Sequence, residues 1–385
     1  MNIPLVKDTI SNGDIDSLRE WLATYPRLTK GPLTVEFESK WAESIGTKHA
    51  IFVNSGSSAI LAMLYALIVS ENIKPGDKVM VPALSWATDV APVMQLGLEP
   101  VLIDCNMDDL SIDIDHLEQT IVTSKSKTLI LVSVLGLVPD MDRVMRICEL
   151  HGVTLLEDVC ESLGSKYADK QLGTFGLMSC FSLYFGHHLS SIEGGMICTD
   201  SDEMRNILVM IRNHGWDRDL PVDKQTELRS EWDVSDFESL YTFYHPGFNI
   251  RATDLQAFIG IKQLDRINEV CEIRNRNYTL YNEFIKNKFW MPKHTQAFVS
   301  NFCYPVIHPK RDLIVKALIS AGVETRPLIA GSMNTQPFYI KKYGKSIMPN
   351  ADEVNKFGIY VPNNHEMAEP EVMYVSRIIN EIINE

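Results

Sequence analysis

The sequence predicts an α/β protein: a mostly parallel central sheet flanked by helices, followed by a smaller α+β unit. Three observations carry this. Short β-rich runs alternate with amphipathic helical runs over roughly the first two thirds of the chain. The β-rich runs are continuously apolar, as in strands covered on both faces. The length of 385 residues suits a large domain with ample buried core plus a smaller one.

The expected strands are AIFV (50–53), KVMVP (78–82), PVLID (100–104), TLILVSV (128–134), VTLLED (153–158), SCFSLYF (179–185) and GGMICTD (194–200). Between them lie helical stretches such as SSAILAMLYALIV and DMDRVMRICELHG. The second opens on an acidic cap and closes on His-Gly, a common helix ending. Residues 1–35 should begin with a helix from about Asp14 to Ala23 and then wrap against the large domain. After about residue 265, helical segments at 267–287, 310–321, 351–358 and 370–384 surround strand-like FCYPV and VETRPL. This division gives a large domain over 1–265, N-terminal arm included, and a small C-terminal α+β domain over 266–385.

Composition narrows the function. Hydrophobic residues make up 45% and charged residues 22%, ordinary for a globular protein. The net charge is −14 with no basic tract, which argues against nucleic acid as a partner. The longest apolar run, Ile60 to Val69, is too short to span a bilayer. The N-terminus lacks the basic start and apolar core of a signal peptide. Seven cysteines without a CxxC pair read as free thiols in a reducing, cytoplasmic setting.

Four motifs carry chemistry. A strand runs into Asn54-Ser55-Gly56-Ser57-Ser58 and a helix, which makes either a phosphate site or a plain serine cap. Asp158 ends a buried strand, where α/β sheets bind ligands; it either pairs with a cationic ring or caps a helix. CFSLYFGHHLSSIEGGM presents Ser182, His187 and His188 ahead of a Gly-Gly strand start. Paired histidines serve as scaffold, proton carriers or metal ligands, but no zinc-type spacing accompanies them, so no metal is expected. Finally, Gly247, Asn249 and Arg251 precede an amphipathic helix in a loop open to ligands.

In this order and spacing, the motifs resemble the sugar-nucleotide aminotransferase family, within the aspartate aminotransferase fold of pyridoxal-phosphate (PLP) enzymes. The resemblance runs from about Thr29 to Pro362, through GPLTVEFESKWAESIGTKHAIFVNSGSSA, VPALSWATDVAPVMQLGLEPVLID, GLVPDMDRVMRICELHGVTLLEDVCESLGSKY, FSLYFGHHLSSIEGG and GFNIRATDLQAFIGIKQL. It implies PLP-dependent fold type I. By resemblance, Gly56 and Ser57 hold the cofactor phosphate through their amides, and Ser182 adds a hydroxyl. Trp86 stacks on the ring, and Asp158 pairs with the ring nitrogen. Asn249 reaches the phosphate of the neighbouring subunit, which implies a homodimer with shared sites.

The departures are informative. The family's lysine lies five residues after the phosphate serine and six before the Glu of EGG. Counting from Ser182 and from Glu193, both select His187. The glutamine usual three residues after the ring aspartate is Glu161. Imidazole moves protons but cannot bond the cofactor as an amine does, so His187 is expected to act as a base titrating near the working pH.

Histidine at this place marks a smaller group, the 3-dehydratases of GDP-linked 4-keto-6-deoxy sugars. The resemblance implies that L-glutamate converts PLP to pyridoxamine 5'-phosphate. The C-3 hydroxyl of the hexose, or a related heptose, is then expelled. The products are a 3-deoxy-4-keto sugar nucleotide for surface polysaccharide, ammonia and 2-oxoglutarate. A second histidine-bearing group works through an iron–sulfur cluster held by four cysteines. From Gly194 to Lys262 this chain has only Cys198, so no such cluster is expected. His214, Arg218, Arg251 and Arg326 are candidate contacts to sugar, diphosphate or glutamate carboxylate. The alternatives are a sugar-nucleotide aminotransferase with an atypical histidine, or a noncatalytic relative that binds PLP or nucleotide.

Overall fold

The computed structural model describes residues 2–293 and 297–384. Met1 and Glu385, the outermost residues of the two expected domains, lie outside them. All seven expected strands form one sheet: β1 (His49–Val53), β2 (Lys78–Pro82), β3 (Glu99–Ile103), β4 (Thr128–Val132), β5 (Thr154–Asp158), β6 (Met178–Ser182) and β7 (Gly195–Thr199). Their order is β1-β7-β6-β5-β4-β2-β3. Only β7 runs against its neighbours. The other pairings are parallel, and every residue of β4 is buried, as continuously apolar strands require.

Helices α1 (Asn12–Leu22), α2 (Pro32–Ile45), α3 (Gly56–Val69) and α4 (Ala87–Gln95) lead into the core in turn. The sequence of α3 is apolar all round, and the helix is buried accordingly between the sheet, α4 and helix Asp202–Ile211. Proline opens α2, and Asp254 caps it by accepting the Gly31, Leu33 and Thr34 N–H groups. Asp140 caps helix Met141–His151, and Gly152 closes it in the left-handed region.

Beyond helix Ile267–Phe284, three short antiparallel strands follow in the order 304–307, 358–361, 326–327, packed by helices Arg311–Ser320 and Glu369–Asn384. Three expectations need correction. The central strand, Gly358–Val361, was not anticipated; it follows helix Pro349–Phe357 with no break in the chain. Of VETRPL, only Arg326–Pro327 is strand. The N-terminal arm does not wrap against the large domain alone. Ile3 bridges Val323, and the Leu5 N–H donates to Glu324, so its first residues dock on the C-terminal part.

Candidate active site

Six of the seven sheet strands are parallel, so their carboxyl ends open on one side. Asn54–Ser57, Trp86, Asp158 and Ser182 all lie there, at or just beyond those ends. Ser55 caps α3 by accepting the Ser58 N–H. Gly56 is the first residue of the helix, and a Cβ on it would lie 3.1 Å from Cys160 Sγ and against Ser182. The absent side chain lets the N-terminus of α3, with exposed Ser57, meet the Ser182 hydroxyl. Free helical N–H groups and a hydroxyl at one point make an anion cradle of the kind a phosphate needs.

Beside the cradle, Asp158 is 6% exposed. Its Oδ1 accepts the Cys160 N–H at 2.8 Å and the Cys180 thiol at 3.6 Å. The two sulfurs and an Asp158 oxygen lie within 4.8 Å of one another. Burial and the Asp158 charge push the Cys180 thiol up to about 12, and contact with Cys180 together with burial pushes Cys160 up as well. Both stand as neutral thiols. Trp86, just beyond the end of β2, is 52% exposed. Its backbone N–H donates to Asp89 Oδ2 at 3.0 Å. Glu161 accepts the Leu135 N–H at 2.9 Å, and burial followed by the Asp158 charge raises it to about 7 despite that bond.

The adjacent histidines part company. The His187 ring is held against the Cys160 carbonyl and 5.2 Å from the Phe302 ring, and its Nδ1 has no partner among the described residues. His188 is buried, with Nε2 3.0 Å from the Ser300 carbonyl oxygen, and lines a separate cavity of about 470 Å³ with Gln263, Arg266 and His365. Burial, reinforced by Arg274, lowers His187 to about 4. This corrects the expectation of a base titrating near the working pH: the imidazole is neutral there.

Arg274 and Asp89 are functional candidates that sequence reasoning missed. The Arg274 guanidinium is buried and donates to the carbonyls of Phe302 and Asn363 at 2.7 and 2.5 Å. Its charge acts on His187, His188 and His365 together.

The remaining candidates divide. His214, at positive φ, lies edge-on to Trp216, and Arg218 lies 4.0 Å over the Trp216 ring. Arg251 binds Asn213, and its strand neighbour is Val53, the last residue of β1. Exposed Asn249 pairs with Asn213 on the same loop system. Arg326 stands apart on the C-terminal sheet, ion-paired with Glu324 and opposite Tyr360 across the strand pair.

A family model of the DegT/DnrJ/EryC1/StrS aminotransferases matches residues 9–380. The chain belongs to this family. It is 33% identical over 375 residues to the GDP-4-keto-6-deoxy-D-mannose 3-dehydratase of Yersinia pseudotuberculosis, covering 94% of each chain. The structure of the E. coli GDP-4-keto-6-deoxy-D-mannose-3-dehydratase with bound hydrated PLP superposes with a TM-score of 0.89 at 31% identity, covering 98% of this chain and 99% of that one. A mutant form of such a dehydratase with bound GDP-perosamine matches equally, with a TM-score of 0.89 at 30% identity, over 98% of this chain and 100% of that one. As in PLP-dependent enzymes of fold type I, this aminotransferase-family chain joins a cradle at a helix start to a carboxylate at a strand end. The residues fit a phosphorylated pyridine: a Cβ on residue 56 would meet Ser182 and Cys160, and the Asp158 carboxylate ends the neighbouring strand β5.

Proposed function

We propose that this chain is a PLP-dependent 3-dehydratase that removes the C-3 hydroxyl from a GDP-linked 4-keto-6-deoxy sugar. One observation carries the reading: His187 occupies the register of the family's lysine while Gly56, Ser57, Asp158 and Ser182 keep the family's pattern. The relatives' names support a GDP-sugar substrate over a plain amino transfer.

PLP supplies an electron sink for cleaving bonds next to the carbon it binds. The chain's own residues do the rest. Gly56 and Ser57 N–H groups and the Ser182 hydroxyl hold the phosphate. Asp158, its Oδ1 fixed by Cys160 and Cys180, pairs with the ring nitrogen. Trp86 covers the ring, and Glu161, partly protonated near neutral pH, offers it a hydrogen bond. Neutral His187 takes a proton on its imidazole. The environment that disfavours its cation then drives that proton onto the departing hydroxyl.

L-glutamate is the amino donor in this reading, which the chemistry of the family supports. In this reading Asn249, which is exposed, contacts the phosphate held by a second protomer, and the active unit is a homodimer. In this reading His214, Arg218, Arg251 and Arg326 contact the sugar, its diphosphate or the glutamate carboxylate, and the position of Arg251 beside the end of β1 supports this. The large unit ends near residue 265 and the small one follows it. Among the described residues no helix is long and apolar enough to cross a membrane; the acidic composition and free thiols support action in the cytoplasm.

The test is to incubate the protein with PLP, L-glutamate and GDP- or CDP-linked 4-keto-6-deoxy sugars and weigh the products. The expected sugar has lost one oxygen and gained no nitrogen. An amino sugar that keeps its oxygen, or no 2-oxoglutarate under any condition, overturns the proposal.

A further inference from the structure

Asp89 lies in the first turn of α4 and is wholly buried. Its Oδ2 accepts the Trp86 N–H, and its Oδ1 has no donor among the described residues. Its carboxyl group lies within hydrogen-bonding reach of the Asp158 carboxyl. The charged groups that bear on it, Asp158 and Glu161, are both acidic. Two carboxylates in contact and out of water cannot both be ionised. One proton shared between them resolves the conflict, one group donating and the other accepting.

The contacts decide where that proton sits. Asp158 accepts the Cys160 N–H and the Cys180 thiol, which favour its anion. Asp89 accepts a single N–H. The proton therefore belongs to Asp89.

We propose that Asp89 is a positioning residue for the cofactor ring: its carboxylic acid donates to Asp158 while its other oxygen holds the Trp86 backbone. This rests on the assignment of Asp158 to the ring nitrogen and Trp86 to the ring face. One buried side chain then fixes both the edge and the face of the cofactor site. Donation from Asp89 leaves the pair's negative charge on Asp158, facing the ring nitrogen. The ring nitrogen accordingly keeps its proton, the state in which the ring withdraws electrons best. An ionised Asp89 would instead force the proton onto Asp158 and spoil the pairing.

The test has two arms. Infrared difference spectra of the apoprotein, parent minus Asp89→Asn, should show the carbonyl stretch of a protonated carboxylic acid lost in the variant. In PLP titrations followed by absorbance, Asp89→Asn, which can still donate to Asp158 and accept from Trp86, should bind within about threefold of the parent. Asp89→Leu, which can do neither, should bind at least about tenfold more weakly, the scale of losing one or two buried hydrogen bonds. Absence of the carbonyl band overturns the proposal, and so does a Leu variant that binds like the parent or an Asn variant as weak as Leu. If Asp89→Leu fails to fold, the infrared arm and the Asn titration still decide. Failure of the underlying assignment shows separately: Asp158→Ala would bind PLP as the parent does, whatever the infrared band reports.

Discussion

Gly56 stands against Ser182 with no room for a side chain between them: a Cβ on residue 56 would lie 2.9 Å from Ser182 Cβ and 3.2 Å from its Cα. The start of α3 and the end of β6 are thereby fixed at one separation. Gly56→Ala must push one of them away, and overpacking of this kind costs about 1–3 kcal/mol. The expected result is PLP affinity lowered about tenfold with the protein still folded, read by absorbance titration and circular dichroism. Unchanged affinity would show that the cradle is not the phosphate site.

The opposite orientations of the two histidines predict opposite phenotypes. His187→Lys should gain a covalent link to PLP, detectable as a mass adduct after borohydride reduction, and lose dehydration. His188→Asn should retain much of the dehydration rate but lose about 1–2 kcal/mol of stability in urea, because the Ser300 carbonyl loses its partner. The reverse ranking would put the active histidine at 188.

Glu161 gives a pH-dependent signature. Its carboxyl is raised from an ordinary 4.5 to about 7 in the folded protein, chiefly by burial. The folded state thus binds its proton more tightly than the unfolded chain. That contribution to stability is present below about 4.5 and is lost as pH rises through about 7. Relative to Glu161→Gln, the parent apoprotein should therefore fall in stability between these values, as urea midpoints across the range would report. A constant difference would mean that Glu161 is ionised throughout.

If Asn249 serves the neighbouring subunit, two inactive proteins should rescue each other. Mixed and refolded together, His187→Asn and Asn249→Ala protomers form hybrid dimers in which one site is intact, giving about a quarter of parental activity. Each variant alone should stay near background. Failure to complement, with both variants dimeric by analytical ultracentrifugation, would place Asn249 in its own chain's site.

Much of this was legible in the sequence, for physical reasons. Strands buried on both faces are written as unbroken apolar runs, so the seven strands of the sheet were legible and only their ends moved. The strand Gly358–Val361 was not, because four residues continuing directly from a helix carry no period of their own. Among site residues, Asp158 and Ser182 were readable as polar ends of apolar strands. Asp89 was not, since an acid in the first helical turn looks like any cap. Arg274 was hidden further: its carbonyl partners come from residues 302 and 363, which only the tertiary fold brings to it. The depressed titration of His187 comes first from its burial and then from that same remote arginine.

Imidazole at position 187 has one more effect, on supply rather than chemistry. A protein that holds its cofactor by contacts alone trades it freely with the solution. Its loading follows the surrounding vitamin B6 pool, and its melting temperature rises with added ligand as mass action dictates. On the reading proposed above, the same looseness would let a spent molecule be replaced by a recharged one from outside.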